Sequence, residues 1–268
     1  MKKLCVLLSI LLSFTLFFGV VSNAFAVDPN RTYSIGCKYV GGDHDGDDFT
    51  VNVNNAYANY SKMPYYSHYK CTMPTRNNMI NNQDSGLRMI GHKVVFLNGH
   101  ANYDNMVFKA GSGAVYRTGI YYGKDYTSPT TQNQYAGIQD TNMNYVKLIS
   151  FVGCKTASTS INNLAYNANI QGADSAVGFK NTIYTRTVAG ENWCNAYNYY
   201  LRNGHSVLSA LVLASDKYSI GTNLDEYRIY GSTATTLAAA STSSSMRSNS
   251  VLNPEFLSID IDIDMDTD

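Results

Sequence analysis

The sequence has little charge of either sign and little proline. Charged residues make up 15% of the 268 positions, 20 basic side chains balance 20 acidic ones, and the sequence pI is near 6.9. A nucleic-acid-binding domain needs a basic surface, so the composition argues against nucleic acid as a partner. Five prolines and 20 glycines are too few for a fibrous or disordered chain. With 44% hydrophobic residues, we expect a folded domain with a large core.

The only long hydrophobic run lies at the amino terminus. Lys2 and Lys3 precede a mostly apolar run over residues 4–21, and Ala24-Phe25-Ala26 follows it. A basic start, an apolar stretch and small residues at a cleavage point are typical of a secretory signal peptide. An uncleaved membrane anchor is the alternative, because such a run is about long enough to span a bilayer. We expect cleavage after Ala26 and a secreted protein with no membrane anchor left.

The carboxyl terminus differs in composition from the rest of the chain. Residues 232–250 are rich in Ser, Thr and Ala, which predicts a linker. The segment Leu257–Asp268 then alternates Ile or Met with Asp. Aspartates two residues apart repel one another on one face of a strand, so the pattern favours a disordered acidic tail over an edge strand. The predicted parts are therefore a signal peptide (1–26), one domain (27–231) and a linker with its tail (232–268).

Short apolar blocks alternate with longer amphipathic segments between residues 33 and 230. This pattern predicts an α/β domain with a mainly parallel sheet flanked by helices. The predicted strands are Tyr33–Val40, Tyr65–Cys71, Lys93–Asn98, Val146–Val152, Ser175–Phe179 and Tyr227–Tyr230. The predicted helices are Val51–Lys62, Thr75–Met89, Ile161–Asn169 and Gly190–Ala214, the last interrupted near Asn203-Gly204. The segment 103–139, rich in Gly and Tyr, predicts hairpins inserted between strands.

Two of the predicted strands are followed by residues capable of covalent chemistry. One strand runs into Gly99-His100-Ala101, and another runs into Gly153-Cys154-Lys155-Thr156. The carboxyl ends of parallel strands share one edge of a sheet, where active sites form. If the two strands are neighbours, His100 and Cys154 lie side by side. An adjacent imidazole generates the reactive thiolate of a cysteine, so this pair suits covalent acyl transfer.

A second histidine offers the opposite chain order. Papain-type enzymes place the cysteine before the histidine, which would pair Cys154 with His205. His205 directly follows Asn203-Gly204 in a predicted helical hairpin, where no strand presents it to the sheet edge. The pattern therefore favours His100 as the partner of Cys154.

The residues at both strand ends resemble the caspase-like cysteine peptidases of clan CD, which include clostripain, the gingipains, separase and the bacterial CHAT domains. The matching segments are Gly99-His100, Gly153-Cys154-Lys155-Thr156-Ala157, and the stretch from Gly172 to Phe179 with the helix that follows it. The histidine lies 54 residues before the cysteine, near the roughly 50-residue spacing of caspase-type sites. The resemblance covers about residues 33–231 and implies a caspase-like three-layer sandwich with cysteine endopeptidase activity.

The resemblance also implies roles for a few residues. Cys154 would be the nucleophile and His100 the general acid/base. The backbone N–H groups of Cys154 and Ala101 would stabilise the oxyanion. Many relatives have glycine where this chain has Ala101, and alanine restricts the backbone more than glycine does.

Acidic residues near the predicted site indicate substrate preference. Asp45 and Asp47 follow the first strand, and Asp174 is an alternative. A carboxylate in the pocket would favour cleavage after Arg or Lys, as in several relatives. The same turn fails as an EF-hand calcium loop, because Asp48 stands where glycine is needed and Asn54 where glutamate is needed. We therefore expect no cofactor, with calcium a weak alternative, and a helix-capping role for Asp47 or Asp48.

The remaining cysteines and histidines predict little further chemistry. Export favours disulfides, and Cys37 with Cys71 is the plausible pair if their Cα atoms come within about 7 Å. Cys194 beside Trp193 predicts a buried free thiol. His44, His68 and His92 show no metal-ligand spacing, so no metal site is expected.

Two other functions fit the same residues. One is a catalytically inactive caspase-like binding module, with the 22 tyrosines forming a contact surface. The other is a Cys/His amidase that acts on cell-wall peptide bonds. For a cysteine endopeptidase, the favoured function, the expected partner is a peptide or protein substrate. The sequence does not indicate an oligomeric state.

Overall fold

The computed structural model describes residues 30–40, 44–64, 66–74, 79, 88–108, 118–130 and 133–237. The predicted signal peptide, the acidic tail and most of the predicted linker lie outside these residues. Most of the helix predicted over Thr75–Met89 lies outside them as well. In the described part of the chain, no helix is both long enough and apolar enough to cross a bilayer.

Strands and helices alternate along the chain, as the sequence pattern predicts. The strands in chain order are β1 (Arg31–Ile35), β2 (Ser67–Cys71), β3 (Val94–Asn98), β4 (His100–Ala101), β5 (Asn105–Phe108), β6 (Thr118–Tyr121), β7 (Tyr126–Thr127), β8 (Gln134–Gly137), β9 (Leu148–Val152), β10 (Ser175–Phe179) and β11 (Tyr227–Gly231). The α-helices of the described residues are α1 (Thr50–Tyr60), α2 (Leu164–Ile170), α3 (Val188–Arg202) and α4 (Val207–Tyr218). Short 3₁₀ turns lie at Met89–Gly91 and Ile138–Asp140.

The central sheet has six strands in the order β11-β10-β9-β3-β1-β2. Neighbouring strands are parallel except β10 and β11, which are antiparallel. Each of the six strands predicted from the sequence overlaps one of these strands. The first is shorter than predicted, because the chain turns after Ile35 and the Tyr39 N–H donates to the Asp47 carbonyl at 2.7 Å.

Apolar side chains cover both faces of the central sheet, as expected for parallel strands buried between two layers. Val94 and Phe96 of β3 face a core formed with α1, α3 and α4. The alternate residues Val95 and Leu97 face a second core, formed with α2 and the small sheet. The predicted α/β sandwich of three layers is therefore confirmed.

The segment predicted as inserted hairpins forms a second sheet, in which three pairs of consecutive strands are antiparallel as in hairpins. Its strand order is β4-β5-β6-β8-β7, and β6 pairs with β8 in parallel, which a series of simple hairpins cannot give. Met106, Phe108 and Ile120 of this sheet are buried against the central sheet. The small sheet begins at His100, so it is attached directly to the predicted site.

Helices α3 and α4 are separated by the turn that the sequence predicts. The predicted interruption near Asn203-Gly204 is confirmed: α3 ends at Arg202, and Gly204 has a φ of 85°, a conformation that glycine adopts readily. Ser206 then caps α4 by accepting a hydrogen bond from the Ser209 N–H at 3.2 Å.

Two sequence-based expectations about the ends and cysteines of the domain are wrong. Leu237 is only 2% exposed and Thr236 forms a β-bridge with Ser206, so residues 232–237 pack on the domain and are not linker. Cys37 and Cys71 form no disulfide. Cys71 is paired in register with Ile35, two residues before Cys37, so the two thiols are offset along neighbouring strands. Cys194 is a buried free thiol, as predicted.

Candidate active site

His100 and Cys154 follow two adjacent strands of the central sheet. β3 pairs in parallel with β9, with Asn98 opposite Val152, so Gly99-His100 and Gly153-Cys154 leave the sheet side by side. Both residues line a cavity of about 400 Å³. Its wall is completed by Phe49, Gly99, Gly153, Thr182, Ile183, Tyr184, Thr185, Arg186 and Thr187. The structure thus brings together the two residues that the sequence pattern pairs, while His205 lies between α3 and α4 near Tyr200 and Ser209.

The backbone beneath the cavity is tightly packed around Gly153. A Cβ atom at this position would lie 2.7 Å from the Ala101 Cβ and 2.8 Å from the Gly99 carbonyl oxygen. Glycine is therefore required for the two strand ends to approach each other. Lys155, directly after Cys154, has a φ of 59°, a left-handed conformation that costs a non-glycine residue about 1–2 kcal/mol. Such backbone strain is common at functional sites.

Asn98, the last residue of β3, connects three elements below the cavity. Its side-chain amide donates to the Val152 carbonyl at 2.7 Å and to Thr185 Oγ1 at 3.2 Å. Its Oδ1 accepts from Asn52 Nδ2 of α1 at 2.8 Å. All of these groups are buried. The network therefore fixes β9, α1 and the cavity wall relative to one another. The sequence signal of this network is a polar residue that ends an otherwise apolar strand.

Aromatic rings surround the imidazole of His100. Tyr39 and Phe49 pack edge-on against it with ring centroids 4.8 and 5.1 Å away, and His44 stacks on it at 3.7 Å. The Tyr39 hydroxyl accepts from the His100 N–H at 3.2 Å and donates to the Val107 carbonyl. These contacts fix both the backbone and the ring of His100.

Asp47 holds the same imidazole through a hydrogen bond to one ring nitrogen. His100 Nε2 lies 2.6 Å from Asp47 Oδ2, and Arg186 donates to the other carboxylate oxygen. Asp47 was expected in the substrate pocket or at a helix cap. The neighbouring Asp48 lies at the start of α1 instead, where its carboxylate accepts from the Thr50 N–H at 2.8 Å. The sequence did not reveal the contact of Asp47 with His100, because it depends on the turn at Tyr39.

Burial and the carboxylate act in opposite directions on His100. Burial lowers the pKa of the imidazole because it disfavours the charged form, and the hydrogen bond to Asp47 raises the pKa. The net effect is a pKa below the ordinary value of histidine. His100 is therefore neutral near pH 7 and can accept a proton.

Cys154 is half-buried at the floor of the cavity. Its Sγ lies 3.6 Å from the Ile183 carbonyl oxygen, to which the thiol donates. Ile183 belongs to the segment that follows β10 and forms the cavity wall. The thiol therefore has to turn from this carbonyl toward the imidazole before His100 can take its proton.

The acidic residues expected in the substrate pocket lie elsewhere. Asp45 is exposed on the turn before Asp47, and Asp174 precedes β10 at the opposite edge of the sheet. In the described part of the chain, the cavity wall contains Arg186 and no carboxylate. The expectation of basic specificity therefore loses its structural basis.

Of the two backbone amides expected to stabilise an oxyanion, only that of Cys154 belongs to a residue in the cavity wall. Cys154 lines the cavity, whereas Ala101 belongs to β4, where it pairs with Met106 of β5. The Asn102 N–H donates to the Asn105 carbonyl, so the adjacent Ala101–Met106 pair is a non-hydrogen-bonded pair of the ladder. The Ala101 N–H consequently points away from β5.

One group of side chains could hold a metal ion, contrary to the expectation from sequence spacing. His44, Asp47 and His100 bring their ligand atoms within 4.8 Å of one another. Spacing does not reveal this group, because two ligands come from a turn and the third from a strand end 53 residues after Asp47.

The fold is similar to that of known cysteine proteinases. The crystal structure of the Arg-specific cysteine proteinase gingipain R (RgpB) matches with a TM-score of 0.52 and 14% identity, over 80% of this chain and 48% of that chain. The complex of Porphyromonas gingivalis RgpB pro- and mature domains matches with a TM-score of 0.50 and 14% identity, over 78% and 48%. The chain thus spans about half the length of these proteins. No protein-family model and no curated protein sequence matches the chain. The likeness shows that the chain has a caspase-like fold.

Proposed function

We propose that the protein is a secreted cysteine endopeptidase that cleaves peptide bonds through a Cys154 thioester. One observation carries the proposal: His100 and Cys154 follow the adjacent parallel strands β3 and β9 and line the same cavity. A nucleophile and a base at one strand edge are what covalent acyl transfer requires. The similarity of the fold to that of gingipain R supports the proposal.

The two ring nitrogens of His100 have different roles in the proposed reaction. Nε2 is engaged by Asp47, so Nδ1 is the nitrogen left to accept the thiol proton. The Cys154 sulfur then attacks the carbonyl carbon of the substrate, and the amide of Cys154, with that of Ala101, donates to the oxyanion. His100 returns the proton to the leaving amine as the C–N bond breaks. Water, deprotonated by His100, then hydrolyses the thioester and releases the acid.

Asp47 acts in this scheme through His100. A carboxylate bonded to one ring nitrogen sets the tautomer and orientation of the ring, and it stabilises the imidazolium that forms when the thiol proton is transferred. Arg186 holds the second oxygen of the same carboxylate. Asp47 is therefore a positioning residue rather than part of the substrate pocket.

Arg186 indicates the kind of side chain that the cavity accepts. Its guanidinium lies in the cavity wall, partly engaged by Asp47 and packed over the Phe49 ring at 5.6 Å. A cationic substrate side chain would meet this charge without a compensating wall carboxylate. We therefore propose cleavage after neutral or acidic residues in preference to Arg or Lys.

A peptide library tests both the activity and this preference. Incubation of protein 27–268 with the library should give internal cleavage, with products ending in neutral or acidic residues at least about tenfold enriched over Arg and Lys, a difference of about 1.4 kcal/mol. Prior alkylation of the protein with iodoacetamide should stop cleavage. Cleavage that survives alkylation would contradict the cysteine mechanism, and dominant cleavage after Arg or Lys would contradict the role of Arg186.

Replacing Asp47 by asparagine should lower kcat by roughly 100-fold, within the range for disturbed general acid–base catalysis. KM should change less than about threefold, because the carboxylate positions His100 and does not line the cavity. Steady-state kinetics on a library-derived peptide measures both constants. Asp45→Asn, on the same turn but exposed, is the matched control and should cleave normally. A rise in KM with unchanged kcat would instead place Asp47 in substrate binding.

A binding module remains the second candidate because of one contact. The Cys154 thiol is bonded to the Ile183 carbonyl and not to His100, the arrangement expected if the pair has lost its catalytic use. Tyr121, Tyr126 and Tyr135 of the small sheet form contacting aromatic rings that could serve as a recognition surface. Absence of thiol-dependent cleavage in the library assay would favour this candidate.

A further inference from the structure

His44, Asp47 and His100 direct three metal-ligand atoms toward one point beside the cavity. His44 Nδ1 is 3.5 Å and His100 Nε2 is 2.6 Å from the same oxygen, Asp47 Oδ2. Among the described residues, this is the one group of three or more such side chains whose ligand atoms converge. The catalytic scheme uses His100 and Asp47, and it gives His44 only a packing contact with the His100 ring.

We propose that these three side chains bind one divalent ion of the zinc class. Two imidazole nitrogens and one carboxylate oxygen are ligands that Zn²⁺ prefers, whereas Ca²⁺ and Mg²⁺ take oxygen ligands. In a tetrahedral zinc site, neighbouring ligand atoms are about 3.4 Å apart. The distance between His44 and Asp47 already has this value. The distance between His100 and Asp47 must lengthen by about 1 Å, as the hydrogen bond is replaced by two bonds to the ion.

The surroundings orient the ligands toward the carboxylate. The rings of His44 and His100 are stacked with an interplanar angle of 23°, so both present a nitrogen to Asp47. Tyr39 packs edge-on against both rings, with centroids 6.2 and 4.8 Å away. Arg186 holds Asp47 Oδ1, which leaves Oδ2 to the imidazoles. Such contacts around the ligands are typical of metal sites and strengthen binding.

The site is open enough to exchange its ion with solvent. The side chains of His44, Asp47 and His100 are 39%, 18% and 21% exposed. Three protein ligands leave a fourth position for water, as in exchangeable zinc sites. The positive charge of Arg186 opposes a cation, so we expect reversible binding rather than a permanent structural ion.

A bound ion inhibits peptide cleavage, an inference that rests on the proposed function. The ion takes the Nε2 lone pair of His100 together with the Asp47 carboxylate, so the one proton of the neutral imidazole sits on Nδ1 and the ring can no longer accept the thiol proton. The ring is also fixed by the ion and cannot follow the thiol. Zinc therefore acts as a reversible inhibitor of the peptidase, and His44 is the residue that gives it a third ligand.

Calorimetric titration with ZnCl₂ tests the site without relying on activity. Tag-free protein 27–268 and its Cys154→Ala variant should each bind one ion per chain, and Co²⁺ should give the visible absorption of a four- or five-coordinate site. His44→Ala should bind zinc at least about tenfold more weakly. His205→Ala, a histidine outside the site, should bind normally, and CaCl₂ should give no heat. Equal binding by His44→Ala, or loss of binding in Cys154→Ala, would overturn the proposal.

Inhibition provides the second measurement. Zinc should stop thiol-dependent cleavage by the wild-type protein, and EDTA should restore it. Measured against its own rate in EDTA, His44→Ala should require at least about tenfold more zinc for half-inhibition than the wild-type protein does. Inhibition unchanged in His44→Ala would overturn the inhibitory role. Zinc binding by a protein that cleaves no peptide would support the metal site and contradict the peptidase, so the two proposals fail separately.

Discussion

Replacing Cys154 by alanine is expected to lower kcat/KM for peptide cleavage by at least about 10⁴-fold, because Cys154 is the one thiol among the described residues that line the cavity. His100→Ala should cost roughly 10²–10⁴-fold, since it removes the proton carrier but leaves the nucleophile. The double variant should be no slower than Cys154→Ala, because the two residues act as one unit. Steady-state cleavage of the library-derived peptide measures all three variants.

Thiol labelling separates chemistry from folding in the same variants. An electrophilic peptidyl ketone should label one site in the wild-type protein, and His100→Ala should be labelled much more slowly. Cys71→Ser is the matched control: Cys71 is half-buried at the end of β2, outside the cavity, and its loss should change neither labelling nor cleavage. Labelling of Cys154 at the rate of an ordinary cysteine peptide, with or without His100, would contradict the dyad.

Replacing Asn98 by leucine should lower the stability of the domain by about 2–4 kcal/mol. Leucine is similar in size but leaves the buried Val152 carbonyl and Thr185 hydroxyl without their partner, and each such loss costs about 1–3 kcal/mol. For a domain of this size, the change corresponds to a fall in Tm of roughly 5–15 °C. Thermal unfolding followed by circular dichroism measures it.

Activity should fall with stability in this variant. Asn98 fixes the end of β9 against the cavity wall, so Cys154 should be misplaced even at temperatures where the variant is folded, and kcat/KM should drop more than about tenfold. Thr185→Val is the control, because it removes one of these hydrogen bonds and should cost only about 1 kcal/mol. A stable, fully active Asn98→Leu would show that the network is dispensable.

The centre of the sheet could be predicted because β3 and β9 are nearly continuous apolar runs. Val94–Asn98 and Leu148–Val152 are buried at every position, and no amphipathic helix shares that pattern. The inserted segment could not be predicted as a sheet, because pairing of β6 with β8 depends on contacts beyond either strand. The linker prediction for residues 232–237 is wrong for a related reason. Their Ser/Thr composition is that of a linker, but Leu237 packs into the hydrophobic core.

The candidate site likewise contains residues that the sequence predicts and contacts that it does not. His100 and Cys154 could be predicted because each directly follows a strand, and parallel strands share an edge. The contact of Asp47 with His100 could not be predicted, because it depends on the chain folding back at Tyr39 so that Asp47 reaches the imidazole. The approach of Arg186 is less predictable still, since 139 residues separate it from Asp47. Sequence patterns locate groups at the ends of elements, whereas loop geometry decides which groups meet.

The strand order of the central sheet determines when a site can exist during folding. β9 pairs with β3 and β10, and Arg186 follows β10, so the residues around the cavity come from segments spread over most of the domain. Parallel pairings between distant segments form slowly, because each must close a long loop of chain. The segments that carry Asp47 and His100 can therefore pair before the segments that carry Cys154 and the cavity wall. On the proposed function, the protein should therefore cleave no peptide until nearly the whole domain has folded.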